Sequence, residues 1–78
     1  MEVTIKVAGG LLNYMPGKQG TLVLRLEEPM AVKDIIQQKL GLNPAVVVAV
    51  MVNGQRQEKD YLPKDGEELF LIPPVSGG

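Results

Sequence analysis

The hydrophobic period changes along this chain, and the order of the changes restricts the folds open to it. From Glu2 to Ala8 the residues alternate, with Val3, Ile5 and Val7 on one side and Glu2, Thr4 and Lys6 on the other. Thr21 to Glu27 alternates again, with Leu22, Leu24 and Leu26 in step. A period of two marks a half-buried strand, because successive side chains point to opposite faces. Pro29 closes the second stretch, having no amide to give to a ladder. From Met30 to Leu40 the apolar positions Val32, Ile35, Ile36 and Leu40 fall at i, i+3, i+4 and i+8. That spacing predicts an amphipathic helix of about three turns. Gly41 suits the left-handed residue that ends such a helix, whereas no Ser, Thr, Asp or Asn stands where an N-cap belongs.

After the helix the pattern returns to strands. Pro44 opens a segment in which Ala45 to Val52 is continuously apolar, and Asn53-Gly54 supplies a tight turn into a short polar strand, Gln55 to Glu58. Tyr61-Leu62-Pro63 predicts a turn that plugs one end of the core. Asp65-Gly66 is a further turn, Glu67 to Ile72 is the last strand, and Pro73-Pro74 stops it. Between the first two strands, Gly9 to Gly20 holds four glycines with Asn13 and Pro16, an irregular loop. Leu11, Leu12, Tyr14 and Met15 within it predict a short helical turn folded back on the body. One helix across one face of a mixed sheet buries all these apolar rows. Pairing the first and last strands in parallel at the sheet centre, through right-handed crossovers, satisfies the connections. The expectation is an α+β fold of the β-grasp (ubiquitin-like) type, with four to five strands and one main helix. Residues 1–74 form the domain, and residues 75–78 form a flexible tail.

Composition removes most catalytic chemistry. The 78 residues include no histidine and no cysteine, and the net charge is −1. Thiol nucleophiles, Cys/His metal sites and Ser–His–Asp arrangements are therefore excluded. Near-neutral charge argues against nucleic-acid binding, which needs clustered Lys and Arg. No apolar run reaches the roughly 18 residues of a membrane span, and Met1-Glu2-Val3-Thr4 does not read as a signal peptide. The expectation is a cytoplasmic protein without membrane or nucleic-acid partners that is not an enzyme by itself. Gly17-Lys18 fails as a phosphate loop, because Leu12 stands at the required first glycine and Gln19 replaces Ser/Thr. Glu27-Glu28 and Glu67-Glu68 read as solvated carboxylates at strand edges, and Lys33, Lys39 and Lys59 as solvated lysines.

The distinctive segment is the end, Leu69-Phe70-Leu71-Ile72-Pro73-Pro74-Val75-Ser76-Gly77-Gly78. Pro73-Pro74 holds the chain extended as it leaves the sheet. Gly77-Gly78 presents a terminus without side chains, able to enter a channel too narrow for any Cβ. Residues 73–78 reach about 20 Å when extended. With Val52-Asn53-Gly54 and Lys64-Asp65-Gly66-Glu67-Glu68-Leu69, this end resembles the MoaD/ThiS family of ubiquitin-like sulfur carriers, in particular its molybdopterin-synthase branch. The resemblance covers essentially the whole chain in element order. It implies that Gly78, with Gly77 before it, is the working end. An E1-like adenylyltransferase would use ATP to adenylate the Gly78 carboxylate. A sulfur donor of the cysteine desulfurase or rhodanese type would then convert it to a thiocarboxylate. The carrier itself binds no cofactor, and within molybdopterin synthase it joins the large subunit to pass sulfur to precursor Z (cyclic pyranopterin monophosphate). Sulfur delivery for thiamine thiazole synthesis or tRNA thiolation is the near alternative, although the diproline favours the molybdopterin branch. A protein modifier joined through Gly78, and an interaction module with an inert tail, are readings of other classes.

A carrier also needs a docking surface. If Leu69 and Leu71 face the helix, Phe70 and Ile72 face away from it. By the same alternation Val48, Val50 and Val52 share one face, and Val47, Ala49 and Met51 the other. The expectation is an exposed patch of Val47, Ala49, Met51, Phe70 and Ile72, anchored by Phe70 and continued by Pro73, Pro74 and Val75 into the tail.

Overall fold

The computed structural model describes residues 1–7 and 9–74, apart from the side chain of Pro16. Five strands form one mixed sheet: β1 (Glu2–Val7), β2 (Thr21–Arg25), β3 (Ala49–Val52), β4 (Gln55–Gln57) and β5 (Glu68–Ile72). Their order across the sheet is β2-β1-β5-β3-β4. The first and last strands run in parallel at its centre, Ile5 opposite Leu69 and Val7 opposite Leu71. The neighbouring pairs are antiparallel. The β-grasp expectation holds, with β2, β4 and β5 one or two residues shorter than the sequence pattern implies and β3 four residues shorter. Ala8, expected to end β1, lies outside the described residues.

One face of the sheet is dry. Val3, Ile5, Val50, Leu69 and Leu71 are fully buried, together with Val32, Ile35 and Ile36 of the helix. Leu11, from the first 3-10 turn after β1 (Gly9–Tyr14), and Met15, the extended residue between it and a second such turn (Pro16–Lys18), close the same core. Leu12 and Tyr14 of that connection stay exposed, so the predicted turn folds inward on two of its four apolar residues. At the opposite end Pro63 is buried and Tyr61 half-buried, the expected plug, while Leu62 is exposed.

The helix is shorter than its apolar period suggests. α1 begins with a single α-helical turn (Val32–Asp34) and continues as a π-helical stretch (Ile35–Lys39). Ala31 before it is extended (ψ 150°) and offers no capping side chain. The first amides are satisfied instead by a distant loop: Val32 N–H donates to the Tyr61 carbonyl at 3.0 Å and Lys33 N–H to the Lys59 carbonyl at 2.8 Å. Borrowed carbonyls replace the missing N-cap, since the exposed amides of a first turn need partners from somewhere. At the other end Leu40 N–H reaches back five residues to the Ile35 carbonyl, and Leu42 N–H bonds the Ile36 carbonyl. The wider turn keeps Leu40 buried, and Gly41 (φ 70°) reverses the chain as expected.

Asn53 (φ 53°) and Gly54 (φ 79°) both take positive φ, the geometry of a two-residue hairpin turn. The third strand starts later than its composition implies. The Asn43 side chain accepts from Ala45 N–H at 2.9 Å and starts a 3-10 turn over Pro44–Val46. Val48 N–H then bonds the Ile72 carbonyl at 2.8 Å, although Ile72 is the register partner of Ala49. Two residues thus oppose one, the count of a β-bulge.

Because Ile5 sits at the junction of β2, β1 and β5, Ile5→Ala should lower the unfolding free energy by about 2–5 kcal/mol in a denaturant titration. Leu62→Ala, at an exposed site, should stay within about 0.5 kcal/mol of the parent.

Candidate functional site: an open sheet face beside the chain exit

The face of the sheet opposite α1 carries the alternate residues of every strand. By register one row runs Thr21, Lys6, Phe70, Met51, Arg56 across all five strands. A second row places Ile72 beside Ala49. Phe70 is 37% exposed, and Met51, Ala49 and Ile72 are half-buried. The apolar centre is rimmed by charge: Lys6 Nζ lies 3.3 Å from a Glu68 carboxylate oxygen, and Arg56 is exposed at the outer strand. An exposed aromatic within a small apolar centre of Phe70, Met51, Ala49 and Ile72, with a polar rim, is the anatomy of a protein-docking surface.

Four of the five residues expected in this patch are on it. Val47 is not. It is fully buried in the core, while Val48 is 48% exposed in its place. The bulge at Val48 and Ala49 shifts the parity by one, so Val47 and Val50, three apart, both point inward. Asn43-Pro44 was the available signal, since that dipeptide favours a turn and ends simple alternation.

β5 delivers the chain to Pro73 and Pro74 at the edge of this face. Pro73 is half-buried and Pro74 exposed. Gly9 (φ 61°) approaches Pro73, and a Cβ there would meet its ring at 3.7 Å, an ordinary contact, so the positive φ is what requires glycine. The prolines form one wall of an open groove of about 580 Å³ whose other walls include Leu11, Tyr14 and Val46. Sequence periodicity did not reveal this groove, because its walls come from two irregular loops that topology brings together. Val75, Gly77 and Gly78, named with the tail, lie outside the described residues.

The base of β5 is fixed by Glu67. One carboxylate oxygen accepts from Lys64 N–H and from the Tyr61 hydroxyl, both at 2.7 Å, and the other accepts from Asn53 Nδ2 at 3.3 Å. The hydrogen bond from the Lys64 backbone, then that from Tyr61, holds the Glu67 carboxyl below the usual carboxylate range. The same bond with Glu67 is the main cause that raises the Tyr61 hydroxyl above the ordinary tyrosine value. Glu67 is therefore a structural acceptor rather than a solvated edge carboxylate, and Glu68 is the partner of Lys6. Lys59 also departs from expectation, its ammonium donating to the Pro44 carbonyl at 2.8 Å. Among the described residues no group of His, Cys, Asp and Glu could hold a metal ion, and no helix is long and apolar enough to cross a membrane.

The sequence profile of the ThiS family matches residues 13–78. The chain belongs to the ThiS family. Solved structures agree on the fold. SAMP1 from Haloferax volcanii aligns over the whole of both chains with a TM-score of 0.74 at 23% identity. Urm1 from Trypanosoma brucei aligns over 99% of this chain and 95% of its own, with a TM-score of 0.70 at 23% identity. The complex of subunits 1 and 2 of the molybdopterin-converting factor from Helicobacter pylori contains a chain that aligns over its full length and that of this one, with a TM-score of 0.61 at 26% identity. No curated protein matches significantly. This ThiS-family chain has the ubiquitin-like fold of ThiS/MoaD-type sulfur carriers.

A group whose folded pKa is depressed contributes stability that is present above its unfolded pKa and lost as pH falls through the folded value. Urea midpoints should therefore drop as pH falls from about 5 to about 3. Glu67→Gln should flatten that acid limb, a difference readable by repeating the titration on both proteins.

Proposed function

We propose that this chain is the sulfur-carrying small subunit of a molybdopterin synthase, working through the carboxylate of Gly78. The observation that carries the reading is the juxtaposition at the end of β5. The central strand leads into Pro73-Pro74 directly beside an apolar face anchored by Phe70. A partner seated on that face would receive the last four residues, Val75-Ser76-Gly77-Gly78, in its own active site.

The chemistry asks little of the carrier. A carboxylate oxygen of Gly78 attacks the α-phosphorus of ATP, and the bond to pyrophosphate breaks, leaving an acyl adenylate. The persulfide of the donor then attacks the acyl carbon, and AMP departs with the C–O bonding pair. A second thiol attacks the donor-side sulfur of the resulting acyl disulfide, breaking its S–S bond and leaving a thiocarboxylate and a disulfide on the donor side. The E1-like partner binds the nucleotide and aligns the reactants. A carrier without cysteine or histidine loses nothing, because the reacting carbon is its own backbone. The large subunit of the synthase would dock on the same face to take the sulfur to precursor Z. The Helicobacter pylori complex supports such a pairing, being one of subunits 1 and 2 of a molybdopterin-converting factor.

A second reading is kept because another neighbour is a small archaeal modifier protein. In that reading the activated Gly78 is attacked by a lysine amine of a target protein and forms an amide.

Intact mass measured after incubation with a molybdopterin-pathway activating enzyme, ATP and a sulfur source separates the two. Replacement of one oxygen by sulfur at Gly78 supports the carrier, and an unchanged mass under conditions that charge a known carrier would sink it. Stable conjugates to cellular proteins instead of a thiocarboxylate would favour the modifier. Deleting Gly78 should abolish charging while the amide spectrum of the folded domain is kept. Phe70→Asp should weaken binding to the activating enzyme about tenfold or more in a titration, as loss of a central aromatic anchor does.

A further inference from the structure

The two edges of the sheet differ in a way the proposed function does not use. β4 is a three-residue edge of Gln55, Arg56 and Gln57, short and polar, the usual form of a blunted edge. β2 is longer and reads Thr-Leu-Val-Leu-Arg, with Val23 59% exposed. Its backbone polarity is set by the ladder with β1. Met1 and Leu26 exchange both hydrogen bonds, and Val7 N–H donates to the Gly20 carbonyl. Hydrogen-bonded pairs recur every second residue in an antiparallel ladder, so Gly20, Leu22, Leu24 and Leu26 direct their amides and carbonyls to β1. Thr21, Val23 and Arg25 direct theirs outward.

We propose that this edge pairs antiparallel with β2 of a second copy of the chain, about a two-fold axis through Val23. Only that register uses all three outward residues: Val23 faces the second copy's Val23, and each Thr21 faces an Arg25. The two strands then exchange six backbone hydrogen bonds, two for each of three pairs. The same register sets Leu22 against Leu24 of the second copy on the helix side, where both are only half-buried in the single chain. Charge selects the antiparallel direction. Lys18 precedes β2 and Glu27-Glu28 comes after it, so each end brings a lysine of one copy towards the acidic pair of the other. A parallel pairing would set lysine against lysine and acid against acid. The contact is isologous and closes at two copies, because both outward edges are consumed. β1 separates β2 from β5, and edge pairing extends the sheet in its own plane, so the Phe70 face and the chain exit are not covered in the pair.

The test is sedimentation equilibrium on the full chain across a concentration series of about 10 µM to 1 mM, the range for a contact smaller than a standard interface. The parent should associate reversibly to a dimer. Val23→Lys and Val23→Glu, each alone, should weaken that association at least tenfold, because like charges meet on the axis. An equimolar mixture of the two should restore dimerisation, as opposite charges then face each other. Val23→Pro should abolish it while keeping the domain's amide spectrum, since the lost N–H points away from β1. A parent that stays monomeric throughout overturns the proposal, as do charge variants that associate like the parent or a mixture that does not pair. A monomer whose β2 amides shift only on adding an extended apolar peptide would overturn self-pairing in favour of a foreign strand.

Discussion

The parallel contact between β1 and β5 is the interaction on which everything else rests. It joins residues more than sixty positions apart, Ile5 with Leu69 and Val7 with Leu71, and all four side chains lie in the core. Its ends are fastened as well: Thr4 N–H bonds the Glu67 carbonyl, Gly66 N–H bonds the Glu2 carbonyl, and Glu2 N–H is taken by the Asp65 side chain. With that pairing made, β2 and β3 can only add outside it, and the helix can only cover the apolar side. The direction in which the chain leaves β5 is then no longer adjustable. A sheet built around its last strand fixes where Pro73 and Pro74 leave it, and a fixed root is what the proposed function asks of its scaffold.

The periodic parts of this architecture were legible in the residues. Alternation located β1, β2 and β5, the three- and four-residue spacing located the helix face, and Asn53-Gly54 and Gly41 adopt the positive φ their identities suggest. The failures share one physical cause, which is that tertiary partners supplied what local sequence did not. Nothing in Ala31-Val32-Lys33 predicts where the helix begins, because its first amides are capped by carbonyls far along the chain, at Lys59 and Tyr61. Likewise the run Ala45–Val52 carries no mark of its bulge, since every residue in it is apolar and a shift of parity leaves the composition unchanged. Val47 departs from its expected face for that reason alone. Charged residues show the same effect: Glu67 and Lys59 look like surface groups, and become structural when the fold delivers hydrogen-bond partners to them.

The candidate site was legible to the extent that strand parity determined it. Phe70, Met51, Ala49 and Ile72 needed only the alternation of β3 and β5 and the side taken by the helix. The groove beside Pro73 and Pro74 needed the conformations of two loops, which no period encodes. The apparent poverty of the composition also acquires a physical sense. In the proposed function the reacting group is a backbone carboxylate, which needs no reactive side chain beside it, and none of the described side chains is both polar and buried.

Placing β5 in the middle of the sheet has a consequence for synthesis. It is the last of the strands to leave the ribosome, yet both β1 and β3 need it as a neighbour. Until it emerges, β1 can form only a hairpin with β2 and β3 only a hairpin with β4, neither of which encloses a core, and isolated hairpins are marginal in water. The nascent chain must therefore hold its apolar rows open until β5 has emerged, and then close around it. A ribosome that stalls before β5 leaves no partly folded domain, only an exposed chain for chaperones or proteases.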